Sequence, residues 1–176
     1  MSVHEDQVQG FARYNSGFNR RLFEQLARLP DEDRKRDMGA FFGSIHNTLN
    51  HILLADRIWL GRLKAALPAM PSLERASVVH EFSSLGQQLC ADFDELHIER
   101  RATDDVISAW AEEMSDDLFA GTMRYRNASG VSREHPIWIA VAHMFNHQTH
   151  HRGQVTTLMY QLGHDPGVTD YLVYVQ

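Results

Sequence analysis

Eleven of the 176 residues are histidine, and six of them, His135, His143, His147, His150, His151 and His164, fall within residues 135–164. Imidazole is a proton carrier near neutral pH and, when neutral, the commonest side-chain metal ligand. On a helix, at about 100° per residue, His147 and His151 lie about 40° apart, one turn above the other. Two imidazoles at i and i+4 can aim at one point outside the helix, which is how a helix offers two ligands to a divalent metal. His143 extends the stripe by one turn. His150 lies about 60° to the other side of His147, on the same half of the helix. If charged, so many imidazoles would repel in a buried setting, and a metal removes that difficulty by binding neutral nitrogens. The competing reading for each histidine is an ordinary hydrogen-bonded core or surface residue.

A pair does not complete a site, so a third ligand must come from another element. His46 and His51 lie about 140° apart on a helix, so both cannot face one metal. His51 sits in the apolar stretch Leu49-Asn50-His51-Ile52-Leu53-Leu54. Its neighbours point it inward, as a ligand or as a packed, non-ligating imidazole. The string His147-Gln148-Thr149-His150-His151 has the spacing of the zinc-protease motif but carries Gln148 where that motif needs a glutamate. An amide cannot take a proton from a metal-bound water, which argues against peptidase chemistry of that type.

The elements that must position these residues follow from apolar spacing. Residues 5–29 carry Phe11, Tyr14, Phe18, Leu22, Leu26 and Leu29 at helical intervals, ending at Pro30 and a solvated Asp31–Asp37 run. A second helix is expected over 40–67, stopped by Pro68. A third is expected from Ser72 through Val78, Val79, Phe82, Leu85, Leu89, Phe93 and Leu96, with Cys90 as a small core residue of that helix. Thr103-Asp104-Asp105 reads as the cap of a short turn. Then comes alternation, with Phe119, Met123 and Tyr125 on one face and Thr122, Arg124 and Arg126 on the other. Followed by Asn127-Ala128-Ser129-Gly130, it reads as a β-hairpin. A last helix is expected over 136–162, opened by Pro136 and closed by Gly163. Four long helices with an inserted hairpin predict an all-α four-helix bundle, one domain over 1–176.

Composition narrows the function classes. With 17 basic against 23 acidic side chains and a net charge of −6, the chain lacks the basic footprint of a nucleic-acid binder. One cysteine excludes an internal disulfide framework and a cysteine-rich zinc module. No segment approaches the roughly 18 apolar residues of a membrane span. The N-terminus reads as neither a secretory signal nor a transit peptide, so a cytoplasmic protein is expected.

The segments AHMFNHQTHHRGQVTTLMYQLG and NTLNHILLADRIWL, with GTMRYRNASG and the tail GHDPGVTD, resemble the DinB/YfiT-like superfamily of metal-dependent proteins over most of the chain. The His-Gln-Thr-His-His-Arg-Gly-Gln string is the specific part. The resemblance implies an up-down-down-up bundle, usually a homodimer, with a divalent metal held by His51, His147 and His151. Zinc, nickel, manganese and iron all occur in the family, and three imidazoles do not choose among them. Relatives include transferases and isomerases that use low-molecular-weight thiols. The expected function is therefore a metal-dependent enzyme that activates such a thiol for transfer to an electrophilic small molecule, without nucleic-acid or membrane partners. A metal-dependent hydrolase and a non-enzymatic metal-binding stress-response protein are the alternatives. No catalytic or thiol-binding residue is assigned. His143 and His150 are candidates for the metal's surroundings, and Arg152 and Gln154 for ligand, dimer or surface contacts. Gly153 is expected to let a neighbouring helix approach. Met144, Phe145, Leu158 and Met159 are expected in the core.

Overall fold

A computed structural model describes residues 2–175. In chain order its elements are α1 (Val3–Leu26), α2 (Asp31–Lys35), α3 (Ile45–Ala66), α4 (Pro71–Glu74), α5 (Phe93–Glu113), α6 (Asp116–Ala120), β1 (Thr122–Arg126), β2 (Ser132–Pro136), α7 (Ile137–Gln161) and α8 (Tyr171–Tyr174). Three of the four long helices begin on a side-chain cap that satisfies otherwise orphaned backbone N–H groups. Ser2 forms a capping box with Glu5, Ser44 accepts from the Asn47 N–H, and Asp92 accepts from those of Asp94 and Glu95. Helix α7 follows Pro136 and ends before Gly163, whose φ of 82° favours glycine.

The expected bundle and hairpin are present. In the antiparallel pair of β1 and β2, Met123 is buried while Thr122, Arg124 and Arg126 face outward. Side-chain pairings give the directions of the long helices. His46 of α3 reaches the Cys90 carbonyl just before α5, and Asp56 meets Arg100, so α3 and α5 run parallel. Phe11 packs on Phe145, and Asn15 and Asn19 bond Arg152, so α1 runs parallel to α7. Asn15 and Phe23 of α1 meet Asp104 and Phe93 of α5 in reverse order. His51 and Trp59 of α3 likewise meet His147 and His143 of α7 in reverse. The topology is up-down-down-up.

Several local expectations are corrected. The third long helix spans Phe93–Glu113, and the stretch from Ser72 to Cys90 is helical only in the end of α4 (Pro71–Glu74). Residues 75–92 form a loop tied to α3 by its polar groups. Asn50 Oδ1 accepts from the N–H groups of Leu89 and Cys90, and the Arg57 carbonyl accepts from that of Val79. Ser72, expected to open that helix, instead bonds Glu113 through its Oγ at 2.8 Å. Cys90 is buried as expected, but in this loop, where burial pushes its thiol pKa up. Thr103, Asp104 and Asp105 lie inside α5 rather than capping a turn, and Phe119 belongs to α6 rather than to a strand. Residues 31–35 coil into α2, and residues 40–44 precede α3.

The departure of α5 from the apolar pattern has a physical cause. The bundle holds two apolar clusters, one around Trp59, Trp110 and Met144 and one around Phe23, Leu53 and Val155. A polar layer crosses the bundle between them with contributions from all four long helices: Asn15 and Asn19, Asp56, Arg100 and Asp104, and Gln148 and Arg152, all buried. Arg100 pairs Asp56 at 2.5 Å and Asp104 at 2.8 Å. Asn15 donates to Asp104 at 2.8 Å, and Gln148 to Asp56 at 2.8 Å. Arg152, foreseen at a surface, dimer contact or ligand, donates into this layer at Asn15 and stacks on Tyr14. Burial pushes the Asp104 carboxyl up to about 6, against the pull of Arg100 and Asn19. The apolar stripe of α5 is thus broken in mid-helix by charges that find partners only in the folded bundle.

Candidate metal centre

Helices α3 and α7 supply the site along their shared seam. His51 is 4% exposed and His151 8%, and His147 is partly exposed. One ligand nitrogen of each lies within 4.8 Å of the others, and the cluster contains no carboxylate. His51 Nε2 stands 3.0 Å from His147 Nε2. Two nitrogens each about 2.0–2.1 Å from one metal, at bond angles of roughly 90–110°, would be about 2.8–3.4 Å apart.

The tautomers suit that use. His51 Nδ1 is 2.7 Å from the Leu85 carbonyl, which can only accept, so this nitrogen carries the proton and Nε2 keeps its lone pair. His151 Nδ1 likewise donates to Gln154 Oε1 at 2.7 Å. Outward N–H donation of this kind orients imidazole ligands at metal sites. His147 Nδ1 is buried without a partner. Burial first, then the neighbouring His151 and His51, hold the His147 pKa down to about 3, and burial also lowers those of His51 and His151. Three imidazoles that prefer the neutral form and bring ring nitrogens together at one point suit a divalent cation.

The remaining histidines separate by contact. His143 is exposed on the α7 stripe, with its ring 5.9 Å from that of His147 and 5.0 Å from Trp59. His150 is exposed and meets the His151 ring edge-on at 4.8 Å. His46 is fully buried on the other side of α3, beside the Cys90 carbonyl, and takes no part in the cluster. Gly153 has open space around it and receives no neighbouring helix. Met144, Phe145, Leu158 and Met159 are in the core as expected.

Two contributors were not visible beforehand. Phe42 stacks on His51 with ring centroids 4.0 Å apart and stands 5.6 Å from His151, covering one side of the cluster. It is set by a tight turn in which Gly39 and Gly43 take φ of 69° and 77°, and the glycines flanking Phe41-Phe42 were the available sign of it. The other contributor is the Leu85 carbonyl, a backbone group that no residue type announces. A cavity of about 1060 Å³ lies elsewhere, between α1 and α7 beside Phe11, Val141 and Phe145, and none of the three clustered histidines lines it. Among the described residues no helix is long and apolar enough to cross a membrane.

Comparison with known proteins agrees with this architecture. The chain is 26% identical over 167 residues to Protein DinB of Bacillus subtilis (strain 168), covering 92% of this chain and 90% of that one. A crystal structure of a DinB-like protein from Bacillus cereus ATCC 10987 superposes with a TM-score of 0.58 at 21% identity, over 86% of this chain and 90% of that chain, which shows the shared fold. The DinB family model matches residues 1–176, and the chain belongs to the DinB family.

Proposed function

We propose that His51, His147 and His151 hold a divalent metal, and that the protein transfers a low-molecular-weight thiol to an electrophilic small molecule. The observation that carries this reading is the convergence of three neutral imidazoles with no carboxylate among them. Three protein ligands leave a coordination position open to a small molecule. When bound, the metal supplies Lewis acidity that lowers the pKa of a thiol or water at that position. The chain's own part is to keep the imidazoles neutral by burial, to hold the His51 and His151 rings through the Leu85 carbonyl and Gln154 so that their Nε2 atoms keep lone pairs, and to cover one side with Phe42. In the transfer, the thiol proton leaves to solvent, a sulfur–carbon bond forms, and the leaving group departs with its electron pair. Hydrolysis is the weaker reading because no base stands in the cluster, and Gln148 faces the polar layer instead. The family resemblance further supports a cytoplasmic homodimer.

A thermal-shift screen of metal-free protein against divalent ions, with and without thiols, tests the proposal, since a ligand of the native state raises apparent stability. Added thiol should raise Tm further only when metal is present, and an S-conjugate should form from an activated halide. If thiol adds nothing beyond metal and no conjugate forms, the transferase reading fails.

A further inference from the structure

Helix α7 has a second working side. Phe145 lies about 160° around the helix from His147, so the cavity of about 1060 Å³ between α1 and α7 stands on the side of α7 opposite the imidazole cluster. Its lining runs along α7 from Trp138 through Val141, Phe145 and Thr149 to Arg152, a rise of about 21 Å. Val8 and Phe11 of α1, Phe119 of α6 and Tyr171 of α8 line the other walls, so the length between the two ends is apolar and largely aromatic.

The two ends differ in charge. Near the start of α1, Asp116 accepts from Ser2 Oγ at 2.7 Å and lies 3.1 Å from His4 Nδ1, so the carboxylate in the lining already has partners. At the other end stands Arg152, 2% exposed. Its Nη1 donates to Asn15 and Asn19, and its central carbon lies 4.9 Å from the Tyr14 ring centroid and 5.0 Å from that of Phe18. The other edge of the guanidinium is short of acceptors. Nε is buried without a partner, and Nη2 donates to Thr149 Oγ1 at a long 3.3 Å. Among the described residues Arg152 forms no ion pair, because Arg100 takes both carboxylates of the polar layer, Asp56 and Asp104. Tyr14, Thr149 and Arg152 together line this end of the cavity. Nε and Nη2 form the fork from which a carboxylate accepts with both oxygens, and a buried donor left without an acceptor is costly.

We propose that the cavity between α1 and α7 binds a linear monocarboxylate, its carboxylate on the Nε–Nη2 edge of Arg152 and its hydrocarbon chain along Phe145, Phe11 and Val141 toward Trp138. This site is separate from the imidazole cluster, and the inference does not depend on the thiol reading.

The test competes decanoate, decanol and decyltrimethylammonium, chains of equal length kept below micelle formation, against cis-parinarate, an acid that fluoresces in apolar surroundings. Decanoate should bind about tenfold more tightly than decanol, as one charge-assisted contact implies, and the cation no better than the alcohol. Ala142→Phe narrows the cavity from α7 without altering the polar layer, and should weaken decanoate at least tenfold. Arg152→Gln should bring the acid to the level of the alcohol. Far-ultraviolet circular dichroism checks that this variant folds, and Ala142→Phe with the head-group comparison decides the matter if it does not. Equal affinity for the three chains, tighter binding of the cation, or decanoate binding undiminished in Ala142→Phe overturns the inference. So does binding that appears only when dilution separates a dimer, since a second copy of the chain then fills the cavity.

Discussion

Gln148 Nε2 donates to Asp56 Oδ1 at 2.8 Å in the middle of the bundle, so the residue directly after His147 faces away from the imidazole cluster. The position that would carry the general base of a zinc protease serves the buried polar layer here. The absent glutamate is therefore a matter of geometry as well as residue type.

Replacing Gln148 with glutamate would set a third carboxylate beside Asp56 without adding a cation. We expect Gln148→Glu to lower unfolding stability by about 3–5 kcal/mol at pH 7, the scale of an uncompensated buried charge. Hydrolytic activity should not appear. Urea denaturation measures the first and ester hydrolysis the second. A stable, hydrolytic variant would contradict this placement of Gln148.

Gln154 orients His151 from outside the cluster by accepting its Nδ1–H at 2.7 Å. Gln154→Ala should weaken metal binding about 10- to 100-fold, as loss of a ligand's outer hydrogen bond does elsewhere, while the half-buried site leaves Tm of the metal-free protein little changed. Competitive titration with a chromophoric chelator reads the affinity. Unchanged affinity would mean that His151 needs no such support.

The histidine cluster was legible because its members follow helical arithmetic: His147 and His151 are one turn apart, and His51 lies in an apolar run. The resemblance pointed to the same three residues. The hairpin was legible from alternation around a turn sequence. The loop over residues 75–92 was not, because Val78, Val79, Phe82, Leu85 and Leu89 keep helical spacing while the backbone is tied to α3 by Asn50 and by His51. Helix α5 was hidden for the converse reason. Arg100, Thr103 and Asp104 occupy core positions, and they read as core only once Asn15, Asn19 and Asp56 are seen opposite them. Both failures concern polar groups satisfied across the bundle, which no local pattern records.

The cluster's protonation gives a prediction with a definite sign. His147 has a folded pKa of about 3 against 6.5 for the free side chain. A lowered imidazole pKa means that the unfolded chain binds more protons below pH 6.5, so metal-free protein should lose stability as pH falls through that value toward 3. In the native state the same shift delays proton competition with metal. From pH 6.5 to about 5, affinity should fall less steeply than the three-proton dependence of ordinary histidines. Titrations across that range check it, and a full three-proton slope would contradict the neutral triad.

The most direct test of the metal centre is metal stoichiometry by elemental analysis after loading metal-free protein, prepared without a metal-affinity column, and desalting it. Wild type, His46→Ala and His150→Ala should each retain one divalent ion per chain, while His51→Ala, His147→Ala and His151→Ala should retain almost none. One ion per chain in all three of those variants would contradict the assignment of the cluster as the metal site.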